Sequence, residues 1–148
     1  MNTHPYLRAY MAGIVAPSLA LLVALTVFIL TRLVFHVPLP VERVIIFPMA
    51  LVPSVFGAWN IFYTWLRPHR HLPIGFHGAL LPLIMVGPGA AAASFGGFLT
   101  LGAHGATWFQ TISVPYFLVV PWFLAVVAVY YLIWKYVVGF LNQVSGIA

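Results

Sequence analysis

The sequence predicts an all-α integral membrane protein, a bundle of four transmembrane helices with proline-kinked spans and short loops. Three observations predict it. The 148 residues are 64% hydrophobic and 5% charged, with a mean hydropathy of +1.08, well beyond an ordinary soluble domain. Residues 71–134 contain no Asp, Glu, Lys or Arg, a gap long enough for two crossings at about 20 residues each. The apolar runs are continuous rather than alternating, so they satisfy their backbone hydrogen bonds as helices and do not fit the strand pattern of a membrane barrel.

Spans are expected at about 11–34, 44–66, 76–101 and 113–138, together forming one membrane domain over residues 1–148. The apolar run from Ala9 to Thr31 exceeds the h-region of a cleaved signal peptide and is read as a retained first span. Between His36 and Arg43 the segment VPLPVER marks a turn, with two prolines and the pair Glu42–Arg43. The second span carries Pro53 and closes at Arg67. WLRPHRHLPIGFHG, residues 65–78, then forms a connection in which Pro68 and Pro73 prevent helix continuation. The third span holds GPGAAAASFGGF, and residues 75–105 contain eight of the twelve glycines. Prolines 17, 48, 53, 115 and 121 are expected to bend the other spans, and Gly87-Pro88-Gly89 to kink or break the third.

Basic residues near the span ends set the orientation. Arg8, Arg67, Arg70 and Lys135 fall on one side, against Arg32 and Arg43 on the other, which places both termini inside, in a bacterial cytoplasmic (inner) membrane. Tyr6, Tyr10, Tyr63, Trp65, Trp134 and Tyr136 are expected as the inner aromatic belt, and Trp108, Tyr116 and Trp122 as the outer one. A parallel duplication of spans two and four is suggested by the common spacing of Pro53 to Arg67 and Pro121 to Lys135, which aligns Phe62-Tyr63 with Tyr130-Tyr131.

Composition also bears on function. There is no cysteine and one acidic residue, Glu42, so thiolate chemistry, carboxylate pairs and carboxylate cages for hard cations are excluded. Arg67, His69, Arg70 and His71 form an expected contact for anionic lipid headgroups or an acidic partner subunit. Asn60, Tyr63 and Arg67 share a helix face at i, i+3, i+7, and Tyr131 with Lys135 repeats the pattern. The intramembrane amide of Asn60 calls for an interhelical partner or a headgroup or quinone-type pocket. Small residues recur at helical spacing, Gly89, Ala93 and Gly97 on one stripe with Ala92 and Gly96 beside it. Such stripes permit close helix packing, so the third span is expected to be the central helix or the contact to another subunit.

Haem or pigment ligation would fall on His77, flanked by Gly75, Gly78 and Ala79, or on His36 and His104. His69 and His71 lack the further ligands of a zinc site, so no metal is assigned. These features predict a non-catalytic accessory or scaffold subunit of a larger membrane complex, for example of a membrane oxidoreductase. The alternatives are a small homo-oligomeric transporter or channel, with Ser94 and Asn60 among its lining residues, and a histidine-ligated cytochrome-type subunit. Expected partners are membrane lipids and other integral membrane subunits. Nucleic acid is not one, because the net charge of +5 is spread over both faces.

Overall fold

The computed structural model describes residues 4–38, 49–69 and 72–147. Four helices run through them: α1 (Pro5–Leu33), α2 (Ala50–Leu66), α3 (Ile74–Phe95) and α4 (Tyr116–Val144). Three, α1, α3 and α4, are long and apolar enough to cross a bilayer. The α2 helix has 17 residues, about 26 Å at 1.5 Å per residue, against a hydrocarbon core of about 30 Å. Glu42, Arg43, Pro48, Arg70 and His71 lie outside the described residues, and so does the expected start of the second span.

Each helix uses its composition locally. Pro5 stands in the first turn of α1, where its missing N–H costs nothing. Thr26, Thr31 and Thr64 return their hydroxyls to the carbonyls of Leu22, Val27 and Asn60, at 2.9, 2.7 and 2.8 Å, which satisfies a polar group without leaving the helix. The α3 helix continues unbroken through Gly87-Pro88-Gly89, so that tripeptide does not create two half-helices. In α4 the residues Ile133–Val138 adopt π-helical turns. Four residues of α-helix overshoot a full turn by about 40°, and the wider π turns offset that drift. Trp134, Val138 and Asn142 consequently face inward together, at 0%, 0% and 2% exposure.

The helices pair as two hairpins. α1 packs along α2 and α3 along α4, whereas α2 and α3 barely touch. Glycines set both pairings. A methyl group on Gly13 would lie 2.7 Å from the Phe56 carbonyl oxygen, and one on Gly78 would lie 2.3 Å from Trp134, so only glycine admits these approaches. Phe56, Leu81, Trp134 and Val138 form the core that joins the hairpins.

Between α3 and α4 the expected loop is a three-stranded antiparallel sheet. Its strands are β1 (Leu99–Leu101), β2 (Gly105–Trp108) and β3 (Ile112–Pro115), with β2 in the centre and Trp108 paired to both Leu99 and Ile112. Phe98, Leu99 and Ala106 pack on Ala93 at the end of α3, with Phe109 against them. Phe109 also meets Phe28 of α1 edge-on at 6.5 Å. Phe109 and Gln110 take positive φ values of 54° and 58°, a left-handed turn that these ring contacts hold in place.

Several expectations change accordingly. The third span ends at Phe95 rather than 101, because Leu99–Leu101 pairs as a strand. The fourth begins at Tyr116 and runs to Val144 rather than 113–138. Pro115 closes β3 and precedes α4, so it bends no helix. Trp134 is fully buried and belongs to the core instead of an aromatic belt. α3 is not the central helix, since its close approaches are confined to α4 and use Gly75 and Gly78. Gly96 and Gly97 lie in the turn beyond α3, so the small-residue stripe of the helix stops at Ala93.

Candidate functional site

The buried polar centre of the molecule joins three helices. Asn60 of α2 donates through Nδ2 to Asn142 Oδ1 at 2.8 Å and to the Ala9 carbonyl at 2.7 Å. Asn142 Nδ2 donates back to Asn60 Oδ1 at 3.0 Å. Both amides are buried, at 0% and 2% exposure. Each polar atom of the Asn60 amide thus has a protein partner, which makes it a clasp between α1, α2 and α4. Asn142 escaped the sequence reading because the fourth span was ended at 138. Its signal was the amide itself, four residues beyond Val138 on the face that buries Trp134.

Tyr63 and Arg67 continue from Asn60 along α2 but diverge in role. The Tyr63 ring meets His77 edge-on at 5.0 Å. Arg67 caps α2 and donates to the Ile147 carbonyl at 2.7 Å, while Arg8 donates to the Ser145 carbonyl at 3.1 Å. Two guanidinium groups thereby satisfy carbonyls at the end of α4, where the helix dipole is negative. These contacts bring the N-terminal end of α1, the α2–α3 connection and the C-terminal end of α4 to one end of the molecule. His69 is exposed there, 6.5 Å from Trp65 between ring centres. Lys135 stands exposed on α4, its Nζ 5.1 Å from the Tyr136 ring centre and 5.8 Å from that of Tyr131. Arg67 ends its helix whereas Lys135 lies well before Val144, so the two anchors of the suggested duplication occupy different positions.

His77 is 3% exposed, and its Nδ1 has no hydrogen-bond partner among the described residues. Its backbone carbonyl accepts from Trp59 Nε1 at 2.8 Å. The space that Gly75 and Gly78 were expected to leave for a flat ligand is taken by Tyr131 and Trp134. His36 and His104 are exposed beyond α1 and between β1 and β2, at the opposite end of the molecule. Among the described residues no three His or acidic side chains converge on a metal-sized site.

At the end away from the asparagine clasp the hairpins separate. A cleft of about 360 Å³ lies between α2 on one side and α3 with Tyr130 on the other. Gly89 and Ala92 line it together with Val55, Leu81 and Met85. A second cavity of about 230 Å³ lies between α1, α2 and α4, and Tyr130 and Phe56 belong to the walls of both. On the reverse side of α3, Gly87, Ala91 and Ser94 follow at i, i+4, i+7 and are all exposed. Among the described residues, nothing beyond the helix's own neighbouring turn lies within 4 Å of a Cβ placed on Gly87. The expected stripes, Gly89 with Ala93 and Gly97, and Ala92 with Gly96, are therefore regrouped, Gly89 now standing with Ala92. Two residues face the cleft, Ala93 lies under the sheet, and a different small-residue face points outward.

Fold and site define a membrane protein built of helical hairpins with a small terminal sheet. Compared with known proteins, the chain matches no family model, no curated protein and no solved structure.

Proposed function

We propose that this chain is a non-catalytic accessory or scaffold subunit of a larger membrane complex, docking through the outward face of α3. The observation that carries the reading is the exposed run of Gly87, Ala91 and Ser94, opposite the cleft and with open space over Gly87. Helices in lipid associate by close backbone packing and interhelical hydrogen bonds, and a small-xxx-small face ending in a serine provides for both. The chain's single acidic residue supports a non-catalytic role, because paired-carboxylate acid–base chemistry lacks its parts. In this reading α2 crosses the membrane as a fourth span. The end bearing Arg8, Arg67 and His69 faces the inner surface of a bacterial cytoplasmic membrane, where these residues meet anionic lipid headgroups.

Purification from the source membrane in mild detergent, followed by mass spectrometry of the intact assembly, tests this proposal. Other membrane subunits are expected in fixed ratio, and they should be lost from Gly87→Leu and Ala91→Leu variants that remain folded. A lone chain or a homo-oligomer would refute the reading.

A further inference from the structure

The cleft between the hairpins has the size of a small-molecule site, at about 360 Å³ against the roughly 300–1,000 Å³ usual for ligand pockets. It lies where the hairpins diverge beyond the core of Phe56, Leu81 and Trp134, and Gly89 has no side chain to occupy the space. Pro82 and Pro88 both belong to its wall. Among the described residues no charged side chain lines it, and an ionic ligand in such apolar walls would lack a counter-charge.

One polar side chain interrupts these apolar walls. Tyr130 stands fourteen residues from each end of α4, and its hydroxyl has no hydrogen-bond partner among the described residues. A tyrosine hydroxyl set in an apolar wall ordinarily has one. The position of Tyr130 discriminates among lipid-soluble occupants. Ester oxygens of a phospholipid remain near the surface of a core about 30 Å thick, so at the middle of α4 such a lipid offers only methylene groups. An occupant that satisfies Tyr130 must carry its acceptor at mid-depth.

We propose that the cleft binds a neutral, lipid-soluble molecule bearing a carbonyl oxygen, such as a quinone ring or a ketone on an apolar body, with that oxygen accepting from the Tyr130 hydroxyl. The cleft face of α3 is opposite the docking face, so this inference stands apart from the proposed subunit role.

The test uses the full chain in nanodiscs of saturated phosphatidylcholine. A decyl-substituted benzoquinone is titrated while tryptophan fluorescence quenching is followed, with a long-chain ketone and an alkane of equal length as competitors. Saturable binding of one quinone per chain is expected, weakened about five- to tenfold by Tyr130→Phe, the worth of one hydrogen bond. Ala92→Phe, which fills the cleft, should abolish it. Failure of both the ketone and the alkane to compete would identify a ring-bearing ligand. Equal competition by the ketone would identify a keto lipid. Unsaturable quenching, equal affinity in Tyr130→Phe, or equal competition by the alkane would overturn the proposal. A Met85→Cys variant completes the test, because quantitative disulfide-linked pairs would show a second copy of the chain in the cleft and would equally overturn it.

Discussion

Asn60 and Asn142 exchange two hydrogen bonds, at 2.8 and 3.0 Å, across the contact of α2 with α4. Because Asn60 also donates to the Ala9 carbonyl of α1, one pair of amides holds three helices at the end where the hairpins meet. Interhelical hydrogen bonds in membranes average about 0.6 kcal/mol and reach about 1.7, while a buried polar group left without a partner costs about 1–3 kcal/mol.

The two replacements should therefore be non-additive. Asn142→Leu is expected to destabilise the chain by about 1–3 kcal/mol. The double variant Asn60→Leu, Asn142→Leu should lose less than the two single changes added together. Thermal unfolding of the four proteins in one detergent measures the coupling.

Glycines at the helix contacts should divide sharply by position. Gly13→Ala meets backbone at 2.7 Å and should cost about 1–3 kcal/mol, the usual range for overpacking. Gly87→Ala meets none of the described residues beyond its own helical turn within 4 Å and should stabilise the isolated chain by up to about 1 kcal/mol through helix propensity. Opposite changes in melting temperature are the expected readout.

Trp134 is fully buried between the hairpins, and its Nε1 has no partner among the described residues. Trp134→Ala should cost about 3–5 kcal/mol through the cavity it leaves. Trp134→Phe retains a ring against Phe56, whose centre lies 5.7 Å away, and removes the unpartnered donor, so its cost should be much smaller. Comparing both variants with the parent by chemical denaturation distinguishes packing from the indole N–H.

Arg67→Ala removes the donor to the Ile147 carbonyl on an exposed face. A loss of no more than about 1 kcal/mol is expected, expressed as fraying of the C-terminal turn. Amide hydrogen exchange should rise at residues 143–147 and stay unchanged at the asparagine clasp.

Much of the architecture was legible in composition alone. Continuous apolar runs admit only helices in hydrocarbon, so the three helices long and apolar enough to cross a bilayer followed from residue type, while the fourth expected span did not reach that length among the described residues. The small sheet was legible only in part. LTL, ATW and ISV each set a hydroxyl residue between two apolar ones, a strand alternation too short to stand out beside long apolar runs. Antiparallel pairing, together with the packing of Phe98 and Phe109, made strands of them.

The sequence by itself determined the membrane class, the intramembrane polarity of Asn60, and the small residues of α3. Tertiary structure alone decided their use. Apolar side chains are nearly interchangeable in lipid, so a helix's hydropathy does not reveal which side meets protein. The π turns of α4 carried Asn142 onto the face of Trp134, and that rotation selected the partner of Asn60. The rings of Tyr131 and Trp134 filled the space above Gly75 and Gly78. With α3 drawn to α4 there, its Gly89 and Ala92 were left facing a cleft, and its Gly87 and Ala91 were turned outward.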